Sequence, residues 1–336
     1  MDKIKRFIEC IVPVTMCNLK CSYCYVIQQN RRTEEMPKFC YDAEYIGRAL
    51  SVERLGGICY ISICGAGETL ISKEMSDIIK NILKQGHYVN ITTNGTISNR
   101  IDEIVQLPKE QLKRLHFAFS FHYLELVRTN QIDMFFNNIQ KVKDAGCSFL
   151  VQFNLCDEYI PYLDDVIRIC EERVGAPPQV AATRDVYTNE IKLLTKYTTS
   201  EYKQMAKKFH SPLFDFTMKN FMIKRKEFCY AGDWSFNLNL CSGEMKYCYD
   251  SNHCQNIYED IEKPIECEAI GKNCMSPYCG NSSHFMSLGI IPSVSTPSYA
   301  KLRNRKKAGW YTAEMRKFLN GKLRNNNIEY RKPPKI

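Results

Sequence analysis

The first half of the sequence alternates short apolar runs with segments of helical periodicity, and this alternation limits the folds that the chain can adopt. Gly86 and Gly146 each follow a helix-length segment, at positions where the ends of helices are expected. Alternating strands and helices predict an α/β fold with a parallel sheet and right-handed crossovers, in which ligands bind at the carboxyl ends of the strands. The predicted strands are Ile8–Val14, Ile58–Cys64, Tyr88–Thr92, Leu115–Phe119, Phe149–Asn154 and Gln179–Ala182. The helix-length segments include Tyr41–Arg54, Lys73–Gln85, Ile132–Ala145 and Tyr162–Arg173.

Three cysteines stand on one short loop directly after the first predicted strand. Cys17, Cys21 and Cys24 form a C-x3-C-x2-C run. Three thiolates on one loop can bind three irons of a [4Fe–4S] cluster and leave the fourth iron open to another ligand. A zinc site would normally take a fourth Cys or His nearby, and the next dozen residues contain neither. The spacing therefore predicts an iron–sulfur cluster on this loop.

Seventeen cysteines in 336 residues need an explanation other than the disulfide framework of a small secreted protein. No apolar run approaches the roughly 18 residues of a membrane span, and the start of the chain lacks the cleavage site of a signal peptide. We therefore expect a cytoplasmic protein without membrane contact, whose cysteines bind metal or are buried. Those scattered through apolar segments are predicted to be core residues: Cys10, Cys59, Cys64, Cys147, Cys156 and Cys170.

The cysteine loop and its position after the first strand resemble the radical S-adenosylmethionine (SAM) superfamily. That resemblance implies a partial (β/α)6 TIM-like barrel with the cluster at its top. Tyr23 stands before the third cysteine, where the family has an aromatic residue near the adenine of SAM. The resemblance implies that the cluster and SAM are cofactors and that an electron donor such as flavodoxin or ferredoxin is a partner.

Further residues match SAM contacts of the family. Gly65-Ala66-Gly67-Glu68 resembles its glycine-rich motif after the second strand, where glycines let the backbone approach the methionine part of SAM. An ordinary strand-to-helix turn is the alternative. By the same resemblance, Ser120 after the fourth strand is placed to contact the ribose of SAM, and Asn154 at the end of the fifth strand to contact the ribose or carboxylate. Each can equally satisfy the backbone at a strand end. No residue is assigned a catalytic role.

A second group of cysteines lies between residues 229 and 279. Its opening, Cys229-x13-Gly243-x4-Cys248, resembles the auxiliary-cluster segment of the SPASM and twitch subgroups of radical SAM enzymes. The later part departs from the SPASM pattern, so we expect one auxiliary [4Fe–4S] cluster. Its predicted ligands are Cys229, Cys248, Cys274 and Cys279, with Cys267 as the main substitute and with Cys241 and Cys254 outside the site. A structural zinc site built from four of these thiolates is the alternative.

The resemblance and the composition together suggest four parts of the chain. Residues 1–195 would form the partial barrel, 196–228 a connecting helix, 229–290 a small cysteine-rich auxiliary-cluster domain, and 291–336 a basic amphipathic tail. From residue 301 onward twelve Lys or Arg face only two Glu, so the rest of a chain of net charge +9 is nearly neutral. An apolar stripe is expected to dock the tail, with its charges facing outward or at the substrate entrance: Tyr311, Met315, Leu319 and Leu323. Nucleic acid binding is not expected, because no recognisable module is present.

The resemblance implies reductive cleavage of SAM to a 5′-deoxyadenosyl radical, which abstracts hydrogen from an unactivated C–H bond. The chain would then be an oxidoreductase or another radical-based modifying enzyme. A ribosomal peptide or protein is the favoured substrate, modified by oxidation, cross-linking or epimerisation. With sixteen residues before Cys17, no fused leader-binding domain is expected. Dehydrogenation or epimerisation of a sugar or aminocyclitol is the alternative, and a zinc-stapled interaction protein is the non-enzymatic one.

Overall fold

A computed structural model describes residues 2–187 and 191–327. In this part of the chain nine strands form one sheet in the order β11-β10-β9-β1-β2-β3-β4-β5-β6. Strands β1 to β6 are all parallel, which confirms the predicted α/β fold with a partial, open barrel. These six strands are Arg6–Val12, Cys59–Gly65, Tyr88–Thr93, Leu115–Ser120, Ser148–Leu155 and Gln179–Ala182. The later strands are β7 (Arg184–Asp185), β8 (Lys192–Leu193), β9 (Ser235–Asn239), β10 (Glu244–Lys246) and β11 (Cys254–Asn256), of which β7 and β8 form a separate small sheet.

Helices follow the first strands and cover the sheet. Apolar residues at helical spacing bury one face of each long helix; in α3 the buried residues are Met75, Ile78, Ile79, Ile82 and Leu83. Gly86 and Gly146 adopt positive φ just beyond α3 and α7, as expected for residues that end helices. The helices are α1 (Tyr25–Gln28), α2 (Ala43–Ala49), α3 (Met75–Lys84), α4 (Ser98–Ile104), α5 (Lys109–Leu112), α6 (Tyr123–Arg128), α7 (Ile132–Asp144), α8 (Leu163–Val174), α9 (Thr199–Ala206), α10 (Pro212–Asn220), α11 (Ser282–Leu288), α12 (Tyr299–Arg303) and α13 (Ala313–Leu319).

The segment predicted as one connecting helix contains two. Helix α9 ends near Ala206, and His210 adopts a positive φ of 45° between the two helices. Ser211 caps the next helix, where its side chain accepts a hydrogen bond from the Phe214 amide, and Pro212 occupies the first turn. A serine followed by proline is a helix-start signal, and it breaks the segment because proline lacks the amide that a continuous helix needs.

Strands of the cysteine-rich segment extend the same sheet. Strand β9 pairs in parallel with β1, with Cys10 opposite Leu238, and β10 returns antiparallel to β9. The turn between β9 and β10 contains Gly243 at φ 81°, where a Cβ would lie 2.4 Å from the Tyr258 ring. These pairings place the start of the cysteine-rich segment beside the first strand of the barrel. Cys254 begins β11.

The basic segment after residue 298 packs on the amino-terminal ends of the barrel strands. The Trp310 carbonyl accepts from the Phe149 amide at the start of β5 over 2.9 Å, and Phe318 stacks on Tyr88 at the start of β3 with ring centroids 3.7 Å apart. Asn327 donates to the Lys5 carbonyl beside β1 over 3.0 Å. All four residues of the predicted stripe are buried: Tyr311, Met315, Leu319 and Leu323. Met315 and Leu319 share α13, whereas Tyr311 precedes that helix and Leu323 lies in the turn after it.

This placement contradicts one prediction about the tail. The cysteine loop follows the carboxyl end of β1, whereas the tail covers the opposite ends of the strands. Within the described part of the tail, the basic side chains therefore do not line an entrance at the carboxyl ends. Tail residues 328–336 lie outside the described part of the chain. Among the described residues, no helix has the length and apolar character needed to cross a membrane.

Candidate active site and second cysteine cluster

The cysteine loop follows β1 and is fixed by contacts with several neighbouring segments. The Arg32 guanidinium donates to the Leu19 carbonyl over 2.7 Å and also to the carbonyl of Cys17. From α6, the Glu125 carboxylate accepts from the Lys20 amide over 2.5 Å. The loop is therefore held in place through its backbone, which leaves its thiols available to bind metal.

The turn after β3 forms a second support for this loop. Asn94 donates through Nδ2 to the Asn18 Oδ1 over 2.8 Å and lies 3.6 Å from the Cys17 Sγ. Asn18 in turn donates to the Thr96 hydroxyl over 2.7 Å. Asn94 belongs to the segment Thr92-Thr93-Asn94-Gly95-Thr96, and its side chain connects the turn after β3 with a cysteine of the loop.

All nine residues predicted for this site line one cavity of about 520 Å³, a volume typical of small-molecule sites. It lies at the carboxyl ends of the strands, as expected for this fold. The nine are Cys17, Cys21, Cys24, Tyr23, Gly65, Gly67, Glu68, Ser120 and Asn154. Their individual contacts with cluster or SAM stay predictions.

The glycine-rich turn has a role in packing that the sequence did not indicate. A Cβ on Gly67 would lie 2.1 Å from the Met16 carbonyl oxygen, so the turn approaches the cysteine loop more closely than any other residue permits. The buried Glu68 carboxylate accepts from the Thr93 hydroxyl over 2.6 Å and from the Asn94 amide over 2.7 Å. Burial raises the pKa of Glu68, which these hydrogen bonds partly oppose. Glu68 therefore links the ends of β2 and β3.

Tyr23 contacts two further polar residues at the edge of this cavity. Its hydroxyl shares a hydrogen bond of 2.5 Å with the Nδ1 of His122 and lies 3.3 Å from the Tyr159 hydroxyl. Burial lowers the pKa of His122 to about 4, so the imidazole is neutral near pH 7. These contacts fix the ring of Tyr23 between the third cysteine and β4.

The three thiols fit an iron–sulfur cluster. Burial is the main reason that the pKa values of the Cys17 and Cys21 thiols are raised, and the neighbouring Cys17 and Cys24 thiols raise the pKa of Cys21 further. Buried thiolates need cationic partners, which the irons of a cluster provide. In the described part of the chain, no three His, Cys, Asp or Glu side chains converge on a point that would hold one metal ion. A cluster does not require such convergence, because each thiolate binds a different iron.

Four later cysteines come together in a second cavity of about 1050 Å³, which Cys229, Cys248, Cys274 and Cys279 all line. The Cys229, Cys248 and Cys274 thiols each raise the pKa of the Cys279 thiol, after the larger effect of burial. The structure therefore groups the same four cysteines that the sequence singled out. Their binding of a metal cluster stays a prediction.

The other cysteines of this segment lie elsewhere. Cys267 accepts a hydrogen bond from Arg6 over 3.3 Å, and Cys241 lies near Cys40. Cys254 is exposed on β11. Of the cysteines predicted as core residues, five are buried and Cys64 is half-buried.

The two cavities meet at Tyr25 and Arg184, which line both of them. The Gln28 side chain connects the two segments that form this junction. It donates to the Tyr23 carbonyl over 2.8 Å and accepts from the Val186 amide over 2.8 Å. The Arg184 guanidinium donates to the Gly280 carbonyl, next to Cys279, over 2.6 Å. Sequence reasoning missed both junction residues. Tyr25 was detectable as the neighbour of Cys24, whereas Arg184 carries no local signal.

Comparisons with known proteins agree with this arrangement. Residues 11–160 match the Radical SAM superfamily. A stretch of 79 residues is 37% identical to a probable GTP 3′,8-cyclase of Pyrobaculum aerophilum and covers 24% of each chain. Streptococcus suis SuiB bound to S-adenosylmethionine superposes with a TM-score of 0.54 at 15% identity, over 76% of this chain and 64% of that one.

Two further solved structures are similar. SuiB bound to its precursor peptide SuiA gives a TM-score of 0.53 at 15% identity, over 79% of this chain and 65% of that chain. The enzyme anSMEcpe with bound AdoMet gives 0.51 at 15% identity, over 77% of each chain. This chain thus spans less than two thirds of SuiB and about a quarter of the curated relative. At such low identity these structures establish the fold.

The family match includes the cysteine loop, whose three thiols line the smaller cavity. Residues 11–160, which include the three loop cysteines, are the part of this chain that is similar to the Radical SAM superfamily.

Proposed function

We propose that this protein is a radical SAM enzyme, with a [4Fe–4S] cluster and S-adenosylmethionine as cofactors, that modifies a peptide or protein substrate at a C–H bond. We propose that it also holds an auxiliary [4Fe–4S] cluster on Cys229, Cys248, Cys274 and Cys279. The observation that carries this proposal is the junction of the two cavities. One cavity holds the three cysteines of the loop, the other holds the four later cysteines, and Tyr25 and Arg184 line both. A substrate at this junction would reach both cysteine groups.

The bound loop cluster and SAM supply the one-electron chemistry that removes a hydrogen atom from the substrate. The chain's own residues bind and orient. Cys17, Cys21 and Cys24 hold the loop cluster, and Asn94 and Arg32 fix the loop that carries them. We propose that the remaining predicted residues of the smaller cavity bind SAM: Tyr23, Gly65, Gly67, Glu68, Ser120 and Asn154.

A peptide suits the larger cavity better than a single sugar does. Its volume of about 1050 Å³ reaches the upper limit of ordinary small-molecule sites. Exposed apolar side chains line it, with 81% of Met275 and 41% of Tyr249 accessible, and such surfaces bind peptide side chains. The similar SuiB structure with a precursor peptide supports the same choice.

Domain boundaries, location and electron supply complete the proposal. We keep the four predicted parts, 1–195, 196–228, 229–290 and 291–336, as the proposed organisation. A reducing compartment suits seventeen cysteines and an iron–sulfur cluster, so we propose the cytoplasm as the location. A flavodoxin or ferredoxin is the proposed electron donor.

Anaerobic turnover tests the proposal. The reduced enzyme would be incubated with SAM and with each short peptide encoded beside its gene, and peptide masses and 5′-deoxyadenosine would be measured. We expect a mass change in one peptide, dependent on SAM and absent in a variant with Cys17, Cys21 and Cys24 changed to Ala. Modification of a sugar or aminocyclitol instead, with the peptides unchanged, would overturn the peptide substrate. Bound zinc without iron would favour a structural role for the second cysteine group.

A further inference from the structure

A buried carboxyl group on the first strand reaches the second cysteine cavity. Glu9 lies in the middle of β1 and is 5% exposed. Its carboxylate accepts from the Asn281 Nδ2 over 2.9 and 3.1 Å and from the Tyr249 hydroxyl. The Asn281 Nδ2 also lies 3.2 Å from that hydroxyl, so the three side chains form one polar group.

The two partners of Glu9 stand beside two of the grouped cysteines. Tyr249 directly follows Cys248, and Asn281 is two residues after Cys279. These partners come from separate segments of the chain, 240 and 272 residues away from Glu9. A single carboxylate on the barrel wall therefore fixes both segments that carry these cysteines.

Helix α11 and one residue of the tail, Arg303, support the same polar group. Asn281 precedes α11, and its Oδ1 is hydrogen-bonded to the Nδ1 of His284 in that helix. The Arg303 guanidinium, 1% exposed, donates to the Ser283 carbonyl over 2.9 Å and to its hydroxyl over 3.1 Å. His284 therefore orients the Asn281 side chain, and Arg303 fixes the first turn of α11 that follows it, while the Asn281 Nδ2 donates to Glu9.

A buried carboxylate is costly unless hydrogen bonds replace its water. Here those bonds come from Tyr249 and Asn281, which stand close to cysteines. Burial raises the pKa of Glu9, and these two hydrogen bonds and the charge of the Arg303 guanidinium oppose that rise. Side chains that hold metal ligands in place contribute strongly to metal binding, and their loss commonly costs about 10- to 100-fold in metal affinity.

We propose that Glu9 is a positioning residue for the auxiliary cluster, acting through Tyr249 on Cys248 and through Asn281 on Cys279. This inference rests on the proposed function only in assuming a cluster on these cysteines. Glu9 acts on the arrangement of the thiols, and this effect is measurable with or without iron.

The test uses full-length protein with Cys17, Cys21 and Cys24 changed to Ala, so that bound iron reports the second group alone. Glu9→Leu removes the acceptor, Glu9→Gln keeps the shape with one carbonyl oxygen, and Tyr249→Phe removes one donor. Asn90→Leu is the matched control, because Asn90 is a buried polar residue on β3 that donates to Ser62 over 3.0 Å and does not contact the cysteine segments. Iron loss to a chelator is followed, together with iodoacetamide labelling of each cysteine in the iron-free protein.

We expect Glu9→Leu to lose iron at least about 10-fold faster than the parent, with Glu9→Gln and Tyr249→Phe between them. In iron-free protein, Cys248 and Cys279 should label faster while buried Cys170 does not, and Asn90→Leu should change neither rate. If iron loss and the labelling of Cys248 and Cys279 proceed at the same rates in the parent and in all Glu9 variants, the proposal is overturned. If Glu9→Leu does not fold, the other two variants decide by the same measurements. If the parent binds no iron, the auxiliary cluster is wrong, and unchanged labelling of Cys248 and Cys279 then also refutes the positioning role.

Discussion

The Arg6 guanidinium donates a hydrogen bond to the Sγ of Cys267 over 3.3 Å, at the amino-terminal end of β1. The same guanidinium pairs with the buried Asp233 carboxylate over 3.3 Å. The Cys267 side chain therefore belongs to a polar cluster with Arg6 and Asp233 at the amino-terminal end of β1. Its thiol does not take part in the group of four cysteines that lines the larger cavity.

This contact leads to a prediction about iron content. The reconstituted protein should bind about eight irons, as two [4Fe–4S] clusters. Changing Cys229, Cys248, Cys274 and Cys279 to Ala should leave about four irons. The Cys267→Ala variant should keep all of the bound iron, because the Cys267 thiol contacts Arg6. Iron and sulfide analysis with Mössbauer spectroscopy measures both. About twelve irons, or loss of iron in Cys267→Ala, would contradict this ligand set.

The loop cysteines are predicted to be essential for SAM cleavage. Changing Cys17, Cys21 and Cys24 to Ala should abolish 5′-deoxyadenosine formation, because the first cluster loses its protein ligands. The fold should survive, since the loop is held by backbone contacts from Arg32 and Glu125. Chromatography of anaerobic reactions measures the product, and exposed Cys40→Ser is the matched control. Continued product formation by the triple variant would refute the assignment.

Gly67 is predicted to tolerate no side chain. In Gly67→Ala the new methyl group would lie 2.1 Å from the Met16 carbonyl oxygen, so either the turn or the cysteine loop must move. We expect loss of loop-cluster iron and of SAM cleavage, while iron on the later cysteines is retained. Iron content and 5′-deoxyadenosine formation test this expectation, and wild-type values for both would show that the loop accommodates the methyl group.

The free energy of unfolding should fall in mild acid, because buried His87 is neutral in the folded protein and takes up a proton more readily in the unfolded chain. This buried imidazole accepts from the Cys59 amide over 3.0 Å and contacts the Leu50 carbonyl at 2.6 Å, and burial lowers its pKa to about 4. The unfolded chain takes up the proton near the ordinary pKa of about 6.5. This contribution is therefore fully present above about pH 6.5 and is lost as the pH falls toward 4, by an amount on the order of 3 kcal/mol.

Denaturant unfolding between pH 4 and 7 measures this effect. His87→Gln keeps an acceptor and a donor but does not titrate, so its free energy of unfolding should fall less over this range. Exposed His253→Gln, on the surface of the cysteine-rich segment, is the control and should match the parent. An identical pH dependence for His87→Gln and parent would show that His87 is not responsible.

The tail should act through packing. Leu319 is fully buried, so Leu319→Ala should lower the free energy of unfolding by about 2–5 kcal/mol. Changing exposed Lys306, Lys307 and Lys317 to Gln should leave stability and substrate kinetics unchanged at low salt, because the tail lies at the amino-terminal ends of the strands. Substrate kinetics that become independent of salt in this charge variant would instead indicate electrostatic steering.

The order of the strands and the cysteine loop could be predicted because their signals are local. Each of the six parallel strands was found within two residues of its observed start, since a buried strand needs a continuous apolar run. Cys17, Cys21 and Cys24 lie on a single loop, so their spacing alone brings them together. The Ser211-Pro212 helix start was equally local, and it was overlooked.

Only the tertiary structure decided how distant segments meet. The sequence named four cysteines of the later group by resemblance, but the exclusion of Cys267 depends on Arg6, 261 residues away. The position of the tail could not be read from its charge, because an apolar stripe shows that a segment docks but not where. Glu9 has no local signal at all: its partners lie 240 and 272 residues away, and only the pairing of β9 with β1 brings them within hydrogen-bonding distance. Spacing along the chain determines what a single loop can bind, whereas contacts across the sheet determine which loops share a site.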